Sequence, residues 1–432
     1  MAHPRLLIVG TTPYSTKDQS RSFDAFFHYW EKENIAQIFC RPQSPVKGHC
    51  GTLFQITDYR MLQRWKGKKL ETGKVYYYED LPESNESTLR TDETNNAPQA
   101  YKFGLRHSPL TRLLRGLLWR KRFWCTEALN KWLDEFKPEC VFLSFSDDYF
   151  IPQIALYVAE RYNIPIVNSI LDDYFFNTHY SLNPLYWWYK LTYKNLIRKV
   201  LAHKGSAIYI SDKIRDKYNS DLGLDGETIY LTSNVKRKPF TPINIESPLI
   251  TYFGNIGMGR NHSLNEIGYA LGQINPNYIL EVYSGAKDPA FYEVFKSNPN
   301  IYFGGAIPYE QVQEKMFKSD VTVIVEGFMD KDINQSRYSL STKAADALAS
   351  GATILTYGSP ECGIIEYMQS TNASFVCTDK MKLVETVKKM LERKDLQEKY
   401  YTQEIVMTNE HHNIKKSCET FEKIVARAMS KN

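Results

Sequence analysis

The chain has 432 residues, more than a single globular core usually needs, so two or three domains are expected. An apolar share of 43% with 24% charged residues is normal for a globular protein, and a net charge of +5 is too small to indicate nucleic-acid binding. Seven cysteines are scattered without a CxxC pair, so neither a zinc site nor a disulfide framework is supported.

The first ten residues, MAHPRLLIVG, run directly into an apolar segment. They lack the charged head, long apolar stretch and cleavage site of a signal peptide. No segment reaches the ~20 consecutive apolar residues that a membrane-spanning helix needs. We therefore expect a cytoplasmic protein whose only possible membrane contact is peripheral, at the inner face of the cell membrane.

Short β-branched and apolar runs alternate with longer helical patterns, which predicts doubly wound α/β domains. Runs such as LLIVG, VTVIV and ATILTYG are continuously apolar, as strands buried on both faces of a parallel sheet are. The predicted strands are Arg5–Gly10, Cys140–Phe145, Ile164–Ile170, Ala207–Ser211, Thr228–Thr232, Leu249–Gly254, Tyr278–Ser284, Ile301–Gly304, Val321–Val325, Ala352–Tyr357 and Ser374–Thr378.

Two such domains are expected, separated by residues 236–248, KRKPFTPINIESP, which carry three prolines and no regular pattern. The predicted boundaries are an N-terminal domain over 1–235, this linker, and a C-terminal domain over 249–432. An alternative for the last helix of the chain is that it packs back on the N-terminal domain. Residues 79–99 are polar and acidic and predict a surface loop.

A basic run without any Asp or Glu extends from Asn95 to Thr126. Its cations are Lys102, Arg106, Arg112, Arg115, Arg120, Lys121 and Arg122. Its leucines, Leu110, Leu113, Leu114, Leu117 and Leu118, have helical spacing, and Trp119, Phe123 and Trp124 follow. This pattern is typical of a helix lying on an anionic membrane. Alternatively, the leucine face packs on the sheet and the arginines are solvated.

A second basic and aromatic stretch, from Tyr186 to Lys199, would extend this surface. Basic aromatic segments also bind nucleic acid, but no nucleic-acid-binding module is recognisable, so no nucleic-acid partner is expected.

Acidic pairs follow two predicted strands, Asp147-Asp148 after the second and Asp172-Asp173 after the third. Ligands of open α/β sheets bind beyond the carboxyl ends of the strands, so both pairs are candidate site residues. The alternative for Asp172 or Asp173 is that it caps the following helix. The small, polar loop Gly10–Ser15, after the first strand, would admit a substrate.

The loop after the first strand of the C-terminal domain reads Tyr252-Phe-Gly-Asn-Ile-Gly-Met-Gly-Arg260. Its glycines, including Gly257, allow close approach of a ligand to the backbone, and Arg260 suits phosphate oxygens.

A second loop of this domain reads Tyr338-Ser-Leu-Ser-Thr-Lys-Ala-Ala-Asp, followed by ALASG. Ser341 is placed to cap a helix that carries Thr342 and Lys343 in its first turn, and a helix N-terminus favours a diphosphate. Asp346 follows about one turn later, within reach of a ribose. The alternative is an ordinary capped helix between two strands.

Together these two loops resemble the retaining, nucleotide-sugar-dependent glycosyltransferases of family 4. That family has an Arg and then a Lys after the first strand; Asn255 and Arg260 occupy these positions here. It also has two glutamates separated by seven residues, where this chain has Tyr338 and Asp346. The helix start S-x-S-T-K and the run DALASGATIL look most like the branch that builds bacterial surface polysaccharides.

The resemblance implies a GT-B fold, with two facing Rossmann-like domains and a cleft between them. It implies a nucleoside diphosphate sugar as donor, no metal or other cofactor, and a lipid-linked or otherwise membrane-held acceptor. Donor contacts would come from Gly257, Arg260, Ser341, Thr342, Lys343 and Asp346, and Asp172 would face the reacting sugar. The alternatives are a catalytically inactive GT-B protein that binds a nucleotide or partner, and a nucleotide-sugar epimerase on the same fold.

Overall fold

The structure is a computed structural model that describes residues 3–14, 21–83, 108–178 and 181–430. The chain divides into two compact units. The first unit comprises Met1–Tyr209, Arg215–Ile229 and Cys418–Asn432, and the second comprises Ile210–Ile214 and Tyr230–Ser417.

The first unit is built on a sheet of predominantly parallel strands with helices between them. The strands are β1 (Leu6–Val9), β2 (Ile35–Phe39), β3 (Thr52–Ile56), β4 (Gly73–Tyr77), β5 (Cys140–Ser144), β6 (Ile166–Ile170), β7 (Gly205–Tyr209) and β8 (Glu227–Thr228). The helices that belong mainly to this unit are α1 (Arg21–Phe27), α2 (Asp58–Trp65), α3 (Pro109–Leu118), α4 (Lys121–Trp124), α5 (Glu127–Phe136), α6 (Phe150–Tyr162), α7 (Pro184–Ala202) and α8 (Asp212–Leu222).

The strand order in this sheet is β4-β3-β2-β1-β5-β6-β7-β8, and only the β3–β4 pair is antiparallel. The central strand β1 pairs in parallel with both β2 and β5, and all four of its residues are buried. The strand order therefore reverses direction beside β1, which is where open α/β sheets leave a crevice for ligands.

Strands β2 and β3 contain a polar residue that interrupts their apolar pattern. Gln37 in β2 and Gln55 in β3 are buried, and each uses its amide nitrogen to bind a backbone carbonyl, that of Thr12 at 2.9 Å and that of Arg41 at 2.8 Å. A buried amide is tolerated when it is hydrogen-bonded in this way. Because these glutamines interrupt the apolar pattern, continuous apolar runs do not predict β2 and β3.

One predicted strand was wrong in extent. In place of Thr228–Thr232, the structure has only the two-residue strand Glu227–Thr228, which pairs with β7. The residues from Tyr230 onward leave this sheet and belong to the second unit.

The second unit has a six-stranded parallel sheet of order β11-β10-β9-β12-β13-β14. Its strands are β9 (Ile250–Phe253), β10 (Leu280–Tyr283), β11 (Ile301–Gly305), β12 (Val321–Val325), β13 (Thr353–Tyr357) and β14 (Phe375–Cys377). Its helices are α9 (Arg260–Ile274), α10 (Tyr309–Lys318), α11 (Asp330–Ser336), α12 (Lys343–Ser350), α13 (Gly363–Thr371), α14 (Leu383–Glu392) and α15 (Lys394–Glu410), and a final helix, α16 (Ile414–Ser430), begins in this unit and belongs to the first from Cys418.

The proline-rich stretch 236–248 has irregular backbone that packs against the second unit. The Lys238 amide donates to the carbonyl of Ser350 at 2.9 Å, and Arg237 donates through Nη2 to the hydroxyl of Thr408 at 2.9 Å. Ile243 is buried in the apolar core of this unit, together with Tyr252. These contacts hold the stretch in place before β9 begins.

Candidate functional site

The two glycine- and serine-containing loops of the second unit meet at the carboxyl ends of its strands. Lys343, the first residue of α12, donates through Nζ to the hydroxyl of Tyr252 at 3.0 Å. Tyr252 lies in β9 and its hydroxyl donates in turn to the carbonyl of Asn255 at 2.6 Å. The first of these hydrogen bonds joins two residues that are 91 positions apart in the chain. It lies beside the point where the strand order changes direction, between β9 and β12.

Gly254 makes this close approach possible. Its φ of 134° lies in a region that side chains rarely adopt, and a Cβ at this position would stand 3.0 Å from Cδ of Lys343. A larger residue would push the lysine away from Tyr252. The absence of a side chain at Gly254 therefore leaves the space in which the Lys343 ammonium group reaches Tyr252.

The ammonium group of Lys343 titrates far below the ordinary range for lysine. Loss of hydration and, to a smaller extent, the positive charge of Arg260 lower its pKa to about 7, while Glu326 opposes the shift. The side chain nevertheless keeps partial solvent exposure. A partly accessible, poorly hydrated cation of this kind gains strongly from an arriving anion.

Arg260, the first residue of α9, has a buried partner that the sequence pattern did not reveal. Its Nε donates to Glu326 Oε2 at 3.0 Å and its Nη2 donates to Oε1 at 2.8 Å. The side chains are 7% and 2% exposed, so this is a buried, bidentate ion pair. The guanidinium fork predicted to bind phosphate is thus directed at Glu326. The position of Glu326, directly after the buried run VTVIV, is the one sequence signal that marks it as a site residue.

The loop between β9 and α9 has an unusual backbone. The Gly257 amide donates to Oδ1 of Asn255 at 2.7 Å, and both Met258 and Gly259 have positive φ. A Cβ on Gly259 would stand 2.4 Å from Oδ2 of Asp332, so only glycine fits here. The loop is therefore folded tightly over the start of α9.

Ser341, Thr342 and Asp346 lie at or near the start of α12, which begins at Lys343. The Ser341 hydroxyl accepts a hydrogen bond from the Lys343 amide at 3.3 Å. Asp346 is buried, and its Oδ1 accepts from the hydroxyl of Ser233 at 2.6 Å. Ser233 carries no recognisable sequence signal, because its place beside Asp346 depends on the return of the chain after β8.

The two acids after β6 have different environments. Asp173 closes a turn: its Oδ1 accepts from the amides of Phe175 and Phe176, at 3.2 and 2.8 Å, and from the Tyr218 hydroxyl at 2.8 Å. Among the described residues, Asp172 accepts a hydrogen bond only from the hydroxyl of Tyr174, at a long distance of 3.4 Å. Of the two, Asp173 therefore has the capping role, and it caps a turn rather than a helix.

Asp172 also has a shifted pKa. The surrounding protein displaces water and raises its pKa, the charge of Asp173 adds to this effect, and the Tyr174 hydroxyl opposes it. The residue still presents surface to solvent. A carboxylate that is accessible but incompletely hydrated is suited to contact a ligand.

A cavity of about 220 Å³ lies at the carboxyl end of β1 in the first unit. Gly10, Thr11 and Thr12 form one side, phenylalanines of α1 form another, and Leu171, the neighbour of Asp172, also lines it. Two buried polar atoms of lining residues, Oε1 of Gln37 and Oγ of Ser169, have no hydrogen-bond partner among the residues that the structure describes. Unsatisfied acceptors beside aromatic rings suit a ligand with hydroxyl groups and a flat apolar face.

The acidic pair Asp147-Asp148 is engaged with helix α3. Arg112 forms an ion pair with Asp147, and Arg115 forms ion pairs with Asp148 and, at 3.0 Å, with Asp58. The indoles of Trp119 and Trp124 are buried. Two arginines predicted to be solvated or membrane-facing are therefore directed into the protein.

Parts of the predicted features lie outside the described residues: 84–99 of the acidic loop, Ser15, and positions 95–107 of the basic run with Lys102 and Arg106. Within the described ranges, no three His, Cys, Asp or Glu side chains gather as a metal site would require. No helix in the same ranges is both long enough and apolar enough to cross a membrane.

No protein-family model and no curated protein matches the sequence. The fold, however, matches solved structures at low sequence identity. Sucrose-phosphate synthase from Thermosynechococcus elongatus has a TM-score of 0.59 with 10% identity over 100% of both chains. Anabaena HepE, in complex with UDP-glucose, has the same TM-score, identity and coverage. A match to TarM has a TM-score of 0.49 and 10% identity; it covers 68% of this chain and 57% of TarM.

The two full-length matches are glycosyltransferases of the GT-B type. Both units of this chain have the parallel Rossmann-like sheet expected of that architecture. The chain therefore has the α/β fold of the GT-B glycosyltransferases, as the sequence predicted.

Proposed function

We propose that the protein is a retaining glycosyltransferase similar to family 4. It would transfer a sugar from a nucleoside diphosphate sugar to a membrane-held, lipid-linked saccharide during bacterial surface-polysaccharide synthesis. The observation that carries this proposal is the hydrogen bond from Lys343 to Tyr252 of β9, at the strand ends of a GT-B fold.

The donor would lie across the carboxyl ends of β9 and β12. Lys343 supplies a cation of low hydration, the α12 N-terminus with Ser341 and Thr342 adds a favourable dipole, and Gly257 allows close approach of the backbone. The Asp346 carboxylate would accept a hydrogen bond from a ribose hydroxyl. Because these groups balance the diphosphate charge, we propose that no metal is needed. Glu326 holds the guanidinium of Arg260, so we propose that Arg260 has a smaller role than Lys343 in binding the diphosphate.

Asp172 would act on the sugar during transfer. As the bond between the anomeric carbon and the diphosphate oxygen breaks, the sugar gains positive charge and the leaving diphosphate gains negative charge. The Asp172 carboxylate would stabilise the positive charge on the sugar, and Lys343 would stabilise the negative charge on the diphosphate. In a retaining reaction the acceptor oxygen bonds to the anomeric carbon on the face that the diphosphate leaves, and the hydroxyl proton would pass to the leaving diphosphate oxygen.

The acceptor saccharide would occupy the cavity at the end of β1. Its hydroxyl groups would donate to Oε1 of Gln37 and Oγ of Ser169, which are without partners among the described residues and would rotate toward the ligand, while its apolar face contacts the phenylalanines. The described residues of the cavity lining are uncharged, which fits a neutral sugar. We propose that such acceptors reach the protein at the cytoplasmic membrane surface.

Ser169→Ala tests the cavity. Because the hydroxyl is buried without a partner among the described residues, its removal should leave the free energy of unfolding unchanged or raise it by about 1 kcal/mol. The same change should raise KM for the acceptor about tenfold, since a bound sugar would lose a hydrogen bond. Denaturant unfolding and initial rates measure the two effects.

Ser319→Ala is the matched control, because Ser319 is a buried serine in the second unit with a bonded hydroxyl, at 2.7 Å from the Lys315 carbonyl. It should lower stability without changing the acceptor KM. An unchanged KM in Ser169→Ala would contradict the assignment of the cavity to the acceptor.

A catalytically inactive GT-B protein that binds a nucleotide or partner is the second candidate. It is favoured by Tyr338 and Asn255 at positions where the resembling family has an acid and an arginine, and by the engagement of Arg260 with Glu326. This candidate predicts nucleotide binding without turnover.

The deciding experiment offers the protein a panel of UDP-, GDP-, ADP- and dTDP-sugars, with release of nucleoside diphosphate as the readout. Release that depends on a saccharide-lipid acceptor supports transfer, and NMR of the product identifies the anomer. Epimer formation without acceptor would indicate an epimerase instead. Binding without release would identify the inactive candidate. Activity abolished by EDTA and restored by a divalent cation would overturn the metal-independent mechanism.

A further inference from the structure

Helices α3 and α7 contact each other, and each turns an apolar face to solvent. On α3, Leu110, Leu114 and Leu117 are 54%, 44% and 48% exposed. On α7, Trp188 and Leu191 are 59% and 58% exposed. We call these five residues the leucine–tryptophan face. Large apolar side chains clustered in the open mark an interaction surface.

The inward sides of the two helices explain why the apolar residues face outward. Arg112 lies over the ring of Tyr189, 5.2 Å from its centre, and pairs with Asp147. Arg115 pairs with Asp58 at 3.0 Å, and Tyr193 donates to the Ser146 carbonyl at 2.7 Å. Polar contacts thus attach α3 and α7 to the first unit. On α3 this arrangement is the inverse of the ordinary amphipathic helix, whereas α7 also buries Ile197 and Val200.

The charged side chains that α3, α7 and residues 120–122 carry are all cations. Helices α3 and α7 contain no Asp or Glu. Arg120, Lys121 and Arg122 follow α3 and are exposed, and Arg198 and Lys199 are exposed near the end of α7. A face of leucine and tryptophan beside exposed cations is complementary to an anionic phospholipid surface, where tryptophan prefers the interfacial layer.

We infer that the leucine–tryptophan face inserts into the headgroup layer of an anionic membrane. The inference deepens the proposed function, since it says how a membrane-held acceptor is met, but vesicle binding does not depend on activity. Insertion of apolar side chains is the main attraction, because Arg112 and Arg115 are paired within the protein. The five exposed cations add a smaller electrostatic attraction to the anionic membrane, which salt screens.

The test uses flotation with vesicles of phosphatidylcholine mixed with phosphatidylglycerol. The double variant Leu114→Asp/Leu117→Asp should bind at least tenfold more weakly than the wild type, because carboxylates cannot enter the apolar layer cheaply. The matched control is Ile245→Asp/Phe317→Asp in the second unit. These residues are similarly exposed, 51% and 45%, and the change in net charge is the same.

The wild type should also keep most of its binding at high salt. Fluorescence quenching by brominated lipid should fall markedly in Trp188→Phe. Equal flotation of the face variant and the control, or complete release of the wild type by salt, would overturn insertion. So would absence of vesicle binding together with self-association that the face variant abolishes, since the face would then bind a second copy of the chain. Normal vesicle binding without transferase activity would remove the proposed function and leave this inference intact.

Discussion

Replacing Lys343 by methionine should weaken binding of a nucleoside diphosphate by about tenfold to a hundredfold. A hydrogen bond to a charged group contributes roughly 1.5–3 kcal/mol, and this one would act where hydration is poor. Methionine has similar length and no charge, so the packing beside Gly254 is retained. Arg260 is a less clean target, because its loss leaves Glu326 buried without its partner.

The same binding should depend on pH in a defined direction. With a pKa of about 7, Lys343 is largely neutral in the free protein above neutral pH, and a bound diphosphate favours the charged form. Binding above pH 7 therefore requires proton uptake, and affinity should fall by up to about tenfold per pH unit. Burial raises the pKa of the contacting Tyr252, so that hydroxyl stays protonated and does not add its own pH dependence.

Calorimetry in buffers of different ionisation enthalpy measures both effects. At pH 8 the wild type should take up close to one proton per nucleotide, and Lys343→Met should take up none. Lys388→Met is the control: this exposed lysine of α14 carries the same charge and lies in an i,i+4 pair with Glu392. Tight, proton-independent binding by Lys343→Met would remove the predicted diphosphate site.

Asp172→Asn should lower turnover by at least an order of magnitude, and by about a hundredfold if the carboxylate faces the transition state. The change preserves shape and removes charge. Stability should change little, because the 3.4 Å hydrogen bond from Tyr174 is the one that Asp172 accepts within the described part of the chain. The raised pKa of Asp172 adds a second signature. Turnover that needs the ionised form is lost as pH falls through this raised pKa, and Asp172→Asn should abolish that acidic limb.

The neighbouring residue provides a matched control. Asp173→Ala removes the acceptor for two backbone amides and the Tyr218 hydroxyl, so it should lower the free energy of unfolding by about 1–2 kcal/mol. Under conditions where it is folded, its turnover should stay closer to the wild-type value than that of Asp172→Asn. Normal turnover in Asp172→Asn together with a lowered Tm would make that residue structural.

The sequence by itself determined the kind of fold, because buried parallel strands need continuous apolar runs. Val321–Val325 illustrates this: all five of its residues are buried and its bounds match the apolar run. The strands with an internal glutamine were not visible in this way, since Gln37 and Gln55 find their partners in loops outside their own strands. The short strand at Glu227–Thr228 ends where the chain leaves the sheet, which no local pattern encodes.

Candidate site residues were also visible one by one, from glycines, cations and acids at strand ends. Only the tertiary structure decided which of them act on each other, because those contacts join distant parts of the chain. It joins Arg260 to Glu326 across 66 residues, Ser233 to Asp346 across 113 and Lys343 to Tyr252 across 91. The tertiary structure also decided which face of α3 is buried. Helical spacing predicts an arginine face and a leucine face but does not say which one faces the protein. Ion pairs with Asp58, Asp147 and Asp148 turn the arginines inward and the leucines outward.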